Sequence, residues 1–156
     1  MASLGESVEN RIAFVQRLEA LVGPLAGRTV LDLGCGRHAY WTRAYVGRGA
    51  TVIAMDLDPL RCREAHQRLA AEPPRGDGRV VGVARANGQH LPLASGTAAF
   101  VHCAQVLEHV ASPESFLREL RRVLAPGGSC YLTAINRFAL RDPHFNVLGE
   151  IGRAHV

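Results

Sequence analysis

The stretch Val30-Leu31-Asp32-Leu33-Gly34-Cys35-Gly36 decides the fold, together with Asp56, which closes the run Val52-Ile53-Ala54-Met55-Asp56 about twenty residues later. The first run is apolar and of strand length, and its glycines supply a tight turn into a segment from about His38 to Val46 that reads as a helix. The second run reads as a neighbouring strand that delivers a carboxylate at its C-terminal end. In an open parallel α/β sheet, glycines at such a turn let backbone approach a ligand, and an acid ending the next strand accepts hydrogen bonds from a ribose diol. The pair therefore implies half of a nucleoside-binding site. Asp56 is its principal candidate, because a carboxylate ending an apolar strand is costly to bury without donors.

A nicotinamide cofactor would fit the same half-site, and a nicotinamide-dependent oxidoreductase is one alternative. Its fingerprint is G-x-G-x-x-G, whereas this turn reads Gly34-Cys35-Gly36-Arg37-His38-Ala39 and lacks the third glycine that permits close helix–strand packing at a pyrophosphate. A non-catalytic, truncated nucleoside-binding domain is the other alternative.

Outward from the central stretch, apolar residues Val8, Ile12, Val15, Leu18, Leu21, Val22 and Leu25 recur at helical spacing, and Gly23-Pro24 ends or kinks that helix. Strands are expected at Thr29–Leu33, Thr51–Asp56, Arg79–Ala84, Ala99–Ala104 and Ser129–Ile135. Asp58-Pro59 opens one helix with Asp as N-cap and Pro at the first position. Ser112-Pro113 opens another, with Phe116, Leu117, Leu120, Val123 and Leu124 as its apolar stripe and Pro126-Gly127-Gly128 as its stop. Glu72 to Gly78 is rich in turn formers and is expected to be a mobile loop. Strands alternating with helices imply right-handed crossovers and a parallel sheet covered on both faces.

Composition narrows the function classes. At 156 residues and 47% hydrophobic, the chain can bury one core. The net charge is +4 and all eighteen cationic side chains are arginine, but they are scattered among acids, which argues against nucleic acid as a partner. Cys35, Cys62, Cys103 and Cys130 form no C-x-x-C pair and are expected to be reduced core residues, and the seven histidines show no metal-ligand spacing, so no metal site is expected. No run approaches membrane-spanning length, and a reducing cytoplasm fits best.

Three further segments complete the pattern: Asn87-Gly88-Gln89-His90-Leu91-Pro92, Gln105-Val106-Leu107-Glu108-His109-Val110, and Arg122-Val123-Leu124-Ala125-Pro126-Gly127-Gly128. With the glycine turn and Asp56, they resemble the class I S-adenosylmethionine-dependent methyltransferases, in the small-molecule branch of the ubiquinone and menaquinone methyltransferases. The resemblance implies a Rossmann-like doubly wound parallel sheet of strand order 3-2-1-4-5, with the family's C-terminal strands missing, and S-adenosyl-L-methionine as cofactor. It also implies a small-molecule or lipid-like acceptor. By the same resemblance, Asp32 organises the glycine turn and the methionine amino group, and Gly34, Cys35 and Gly36 bring backbone near the methionyl carboxylate. Asp56 would hold the ribose and Leu57 one adenine face, while Asn87 and Gly88 would meet the adenine edge and Gln105 the methionine side. Glu108 and His109 look like an acid/base pair, but the triplet occurs among relatives with unrelated acceptors, so no catalytic residue is assigned.

Residues 1–149 are expected to form one incomplete domain, with the last strand left as a poorly protected edge. Glu150-Ile151-Gly152-Arg153-Ala154-His155-Val156 back-translates as GAGATCGGAAGAGCACACGTC, the start of a widely used sequencing adapter, so residues 150–156 are expected to be a non-native tail.

Overall fold

The computed structural model describes residues 4–134. Helix α1 (Leu4–Val22) is followed by β1 (Thr29–Leu33), α2 (Tyr40–Gly47), β2 (Thr51–Asp56), α3 (Pro59–Ala71) and β3 (Arg79–Arg85). Then come β4 (Ala98–Ala104), a 3-10 turn (Leu107–His109), α4 (Pro113–Val123) and β5 (Leu124–Thr133). Every strand pairing is parallel, and the order is β3-β2-β1-β4-β5, as the sequence resemblance implied.

The apolar strands are continuous because the central sheet is covered on both faces. Val30, Val52 and Phe100 are register partners on one face and pack with Val15, Leu25 and Tyr45. Leu31 and Val101, one residue along, point the other way and pack with Phe116, Leu120 and Val123 of α4. The face of β1 that carries Val30 also carries Asp32, opposite His102 in β4, so two polar groups enter the core beneath α2.

The expected caps are present. Asp58 accepts hydrogen bonds from the Leu60 and Arg61 amides at 2.8 and 3.3 Å, with Pro59 in the first turn of α3, and Ser112 accepts from the Ser115 amide at 3.3 Å. Other expectations need correction. Leu124 opens β5 instead of ending the helical stripe, because the position before Pro126 disfavours helix and the chain turns extended just ahead of it. The strand then runs through the Pro-Gly-Gly segment with a slipped register, from Ala98 opposite Leu124 to Phe100 opposite Ser129. Leu117, expected in the core stripe, is 45% exposed, and Leu21 is 82% exposed. Leu25 is buried beyond the end of α1, where its amide donates to Glu19 Oε1 at 2.9 Å and Arg48 pairs with Glu19 Oε2. The segment Glu72 to Gly78 is tied down: Gly78 donates to the Val46 carbonyl at 3.2 Å, and a Cβ at Gly76 would lie 2.7 Å from Gly47 Cα.

Two of the sequence segments are joined by one polar clasp. Arg122 donates to the carbonyls of Leu93 and Leu91 at 2.7 and 3.0 Å, while Glu119 accepts from the Leu91 amide at 2.8 Å and from Arg122. The Arg122 hydrogen bond holds the Glu119 carboxyl down at about 2. Beside this clasp Gly88 abuts the Phe116 ring, which a Cβ would overlap. Gly88→Ala is therefore expected to destabilise by about 1–3 kcal/mol through overpacking, measured by urea unfolding; an unchanged midpoint would show that Phe116 moves aside freely.

Among the described residues β5 is an outer strand, and no helix is long and apolar enough to cross a membrane. The expected continuation of the fifth strand to Ile135 and the expected non-native tail, residues 150–156, lie outside the described residues.

Candidate functional site

The C-terminal ends of β1, β2 and β4 meet where the strand order reverses, which is where an open α/β sheet binds ligands. There the turn after β1 crosses over the end of β2. Gly34 and Cys35 donate their amides to the Met55 carbonyl at 2.7 and 3.0 Å, and Gly36 donates to Asp56 Oδ2 at 2.9 Å. Positive φ at Gly34 (83°) and Gly36 (64°) makes this path possible, and a Cβ at Gly34 would also strike Val106. Space above Gly36 is open.

Asp56 is buried, as expected, but not unpaired. Its Oδ1 accepts from the Asp58 amide at 3.0 Å while Oδ2 holds Gly36. Backbone amides thus offset its burial, and each oxygen keeps lone-pair capacity for a further donor. The first three amides of the turn are engaged by the protein itself, so an anion placed there must draw its donors from elsewhere.

Asp32 is 1% exposed. Thr42 of α2 donates to its Oδ2 at 2.5 Å, whereas Oδ1 has no hydrogen-bond partner among the described residues. Burial raises its pKa to about 6, against the lowering effect of Thr42. Deeper on the same face, His102 contacts the Tyr45 hydroxyl through Nδ1 at 2.8 Å and lies between Trp41 and Tyr131, and burial lowers its pKa to about 3.

The remaining predicted residues ring the same end of the sheet. Leu57 is 58% exposed beside Asp56. Asn87 is exposed, and its Oδ1 accepts from the Gln89 amide at 2.9 Å, so the side chain closes a local turn. Gln105 directly follows β4 at φ 59°, rare for a residue with a side chain, and its amide donates to the Thr133 carbonyl at 3.0 Å. Glu108 and His109 lie in the 3-10 turn that follows.

Sequence reading missed a cleft of about 500 Å³ that opens from Cys35 and Gly36 and is walled by Arg11, Arg37, His38, Tyr40, Trp41 and Arg61. Arg11, on α1, lies over the Tyr40 and Trp41 rings at 4.7 and 5.2 Å. Tyr40 and Trp41 directly follow the glycine turn, so their place was readable from position; Arg11 carried no such signal.

The model of the family described as "Methyltransferase domain" matches residues 31–132, from within β1 to within β5. The chain belongs to this methyltransferase domain family. A curated relative, the ubiquinone biosynthesis O-methyltransferase of Pseudomonas paraeruginosa, is 36% identical over 134 residues, covering 85% of this chain and 53% of its own. The chain thus spans about half the length of the curated relatives it matches. Among solved structures, a SAM-dependent methyltransferase from Aquifex aeolicus is 26% identical with a TM-score of 0.59 over 71% of this chain and 58% of that one. An S-adenosylmethionine-dependent methyltransferase from Mesorhizobium loti is 25% identical with a TM-score of 0.60, over 81% and 52%.

The methyltransferase domain's own groups fit the cofactor its family implies. The open space above Gly36 admits a ligand, Asp56 has acceptor capacity left, exposed Leu57 offers an apolar face, and the unpartnered Asp32 oxygen awaits a donor. Asn87 fits less directly, since the oxygen assigned to the adenine edge already serves the Gln89 amide.

Proposed function

We propose that this domain is the cofactor-binding part of an S-adenosylmethionine-dependent methyltransferase acting on a small-molecule or lipid-like acceptor in a reducing cytoplasm. The observation that carries the reading is Asp56, buried at the switch point, fixed by the glycine turn and still able to accept donors from a ribose. The name of the Pseudomonas relative supports an acceptor of that class, and the free cysteines support the compartment.

The cofactor would supply a methyl group made electrophilic by its sulfonium. Asp56 would hold the ribose diol, Leu57 would cover one adenine face, Gly88 and Asn87 would border its edge, and Asp32 would accept from the methionine ammonium. Gln105, with its backbone fixed at the end of β4, would border the methionine side. Catalysis would rest on alignment of the acceptor nucleophile with the methyl carbon, so no general base is assigned. His109→Gln should then lower turnover far less than the hundredfold or more expected from loss of a base.

Calorimetry with S-adenosylhomocysteine tests the reading. Asp56→Ala should weaken binding by about 1.5–3 kcal/mol, the worth of hydrogen bonds to a charged group. Because Asp56 also anchors Gly36 and Asp58, circular dichroism must confirm the fold. Equal affinities in two folded proteins would remove the ribose assignment, and binding of a nicotinamide dinucleotide in place of S-adenosylhomocysteine would favour the oxidoreductase.

A further inference from the structure

We infer that Arg37, His38 and Arg61 form a subsite for an anionic group, a carboxylate or phosphate, carried by the methyl acceptor. The inference rests on the methyltransferase reading above and narrows its substrate class. Arg37 and His38 stand in the turn between β1 and α2, and with Arg61 of α3 they wall the cleft that opens from Gly36. Their existing pairs are loose: Arg37 reaches Glu64 at 3.5 Å and Arg61 reaches Asp58 at 3.6 Å, with 55% and 53% of the two arginine side chains exposed. Each fork of five N–H donors therefore has donors to spare, suited to planar bidentate recognition of an anion. The charges of Arg68 and Arg37 add to burial in keeping His38 below the usual imidazole range, as a positive local field requires.

The cofactor alone does not account for this field. S-adenosylmethionine has one carboxylate against a sulfonium and an ammonium, so it enters with net positive charge, and Arg11 already lines the same cleft on the α1 side. An acceptor with its own negative charge would balance the arginines. The aromatic walls, Tyr40 and Trp41, suit a planar body behind that charge.

The test titrates the 156-residue chain, saturated with S-adenosylhomocysteine, with benzoate, its uncharged counterpart benzamide, and inorganic phosphate. Benzoate should bind at least about tenfold more tightly than benzamide. Arg37→Gln and Arg61→Gln, both at exposed positions, should each remove about tenfold of benzoate affinity, the share of one charge-assisted contact, and leave S-adenosylhomocysteine affinity within about twofold. Equal binding of benzoate and benzamide overturns the inference, as does the absence of binding by both benzoate and phosphate up to about 10 mM. If benzoate competes with S-adenosylhomocysteine, or the arginine variants chiefly weaken the latter, the guanidinium groups serve the cofactor's carboxylate and the inference also fails. A preliminary titration without acceptor isolates the cofactor reading, which fails by itself if S-adenosylhomocysteine does not bind.

Discussion

Arg43→Met is expected to lower the free energy of unfolding by roughly 1–3 kcal/mol, the scale of taking a charged donor away from its part-buried acceptors. Arg43 is 5% exposed in α2 and bridges two helix ends. It donates to the Glu72 carbonyl at 2.5 Å, the Arg68 carbonyl at 2.8 Å and the His38 carbonyl at 3.4 Å. The first two lie at the C-terminal end of α3, where the helix dipole favours a cation, and the Arg68 carbonyl also accepts from the Glu72 amide at 2.9 Å. Methionine fills similar volume but leaves the Glu72 carbonyl without this charged donor. Arg43→Lys should recover little, since an ammonium cannot match the fork. Urea unfolding at constant slope is the measurement, and a loss below about 1 kcal/mol would mean that water replaces the guanidinium at no cost.

Arg43 also shows which parts of the molecule sequence could reveal. Strands and helices were legible wherever local chemistry marks both ends: the apolar runs of β1, β2 and β4, the Asp58-Pro59 start of α3, and the Ser112-Pro113 start of α4. The candidate site was legible to the same depth, because glycine turn and strand-end acid are local patterns. Contacts between distant segments were not. Arginine within an amphipathic helix reads as solvent-facing, and Arg43 is buried only because the end of α3 folds across it. Likewise, one of the two donors to Asp56, the Gly36 amide, comes from a turn twenty residues earlier, a pairing no local pattern encodes. Strand β3 illustrates the same limit: its place at the edge of the sheet, which leaves Val81 62% exposed, is set by the strand order and not by its own residues.

Asp32 should impose a pH dependence on stability of about 3 kcal/mol, the linkage equivalent of raising a carboxyl from 3.8 to about 6. Burial is the principal cause, and the nearby Asp56 carboxylate adds to it, while the Thr42 hydroxyl works in the opposite direction. Below about pH 4 the carboxyl is protonated in both folded and unfolded chains and has no effect on the balance. Between about 4 and 6 the unfolded chain ionises first, so the folded state loses stability as pH rises, and above about 6 the deficit is constant. Asp32→Asn removes the titration and should flatten the profile in that window, raising stability near pH 7 relative to the parent. Urea unfolding across pH 4 to 8 on both proteins is the check, and parallel profiles would show that Asp32 ionises as readily folded as unfolded. A ligand ammonium near the unpartnered Oδ1 would favour the ionised form. Binding of S-adenosylmethionine should therefore weaken as pH falls through about 6 in the parent and lose that dependence in Asp32→Asn, which separates a cofactor-facing carboxylate from one that only anchors α2.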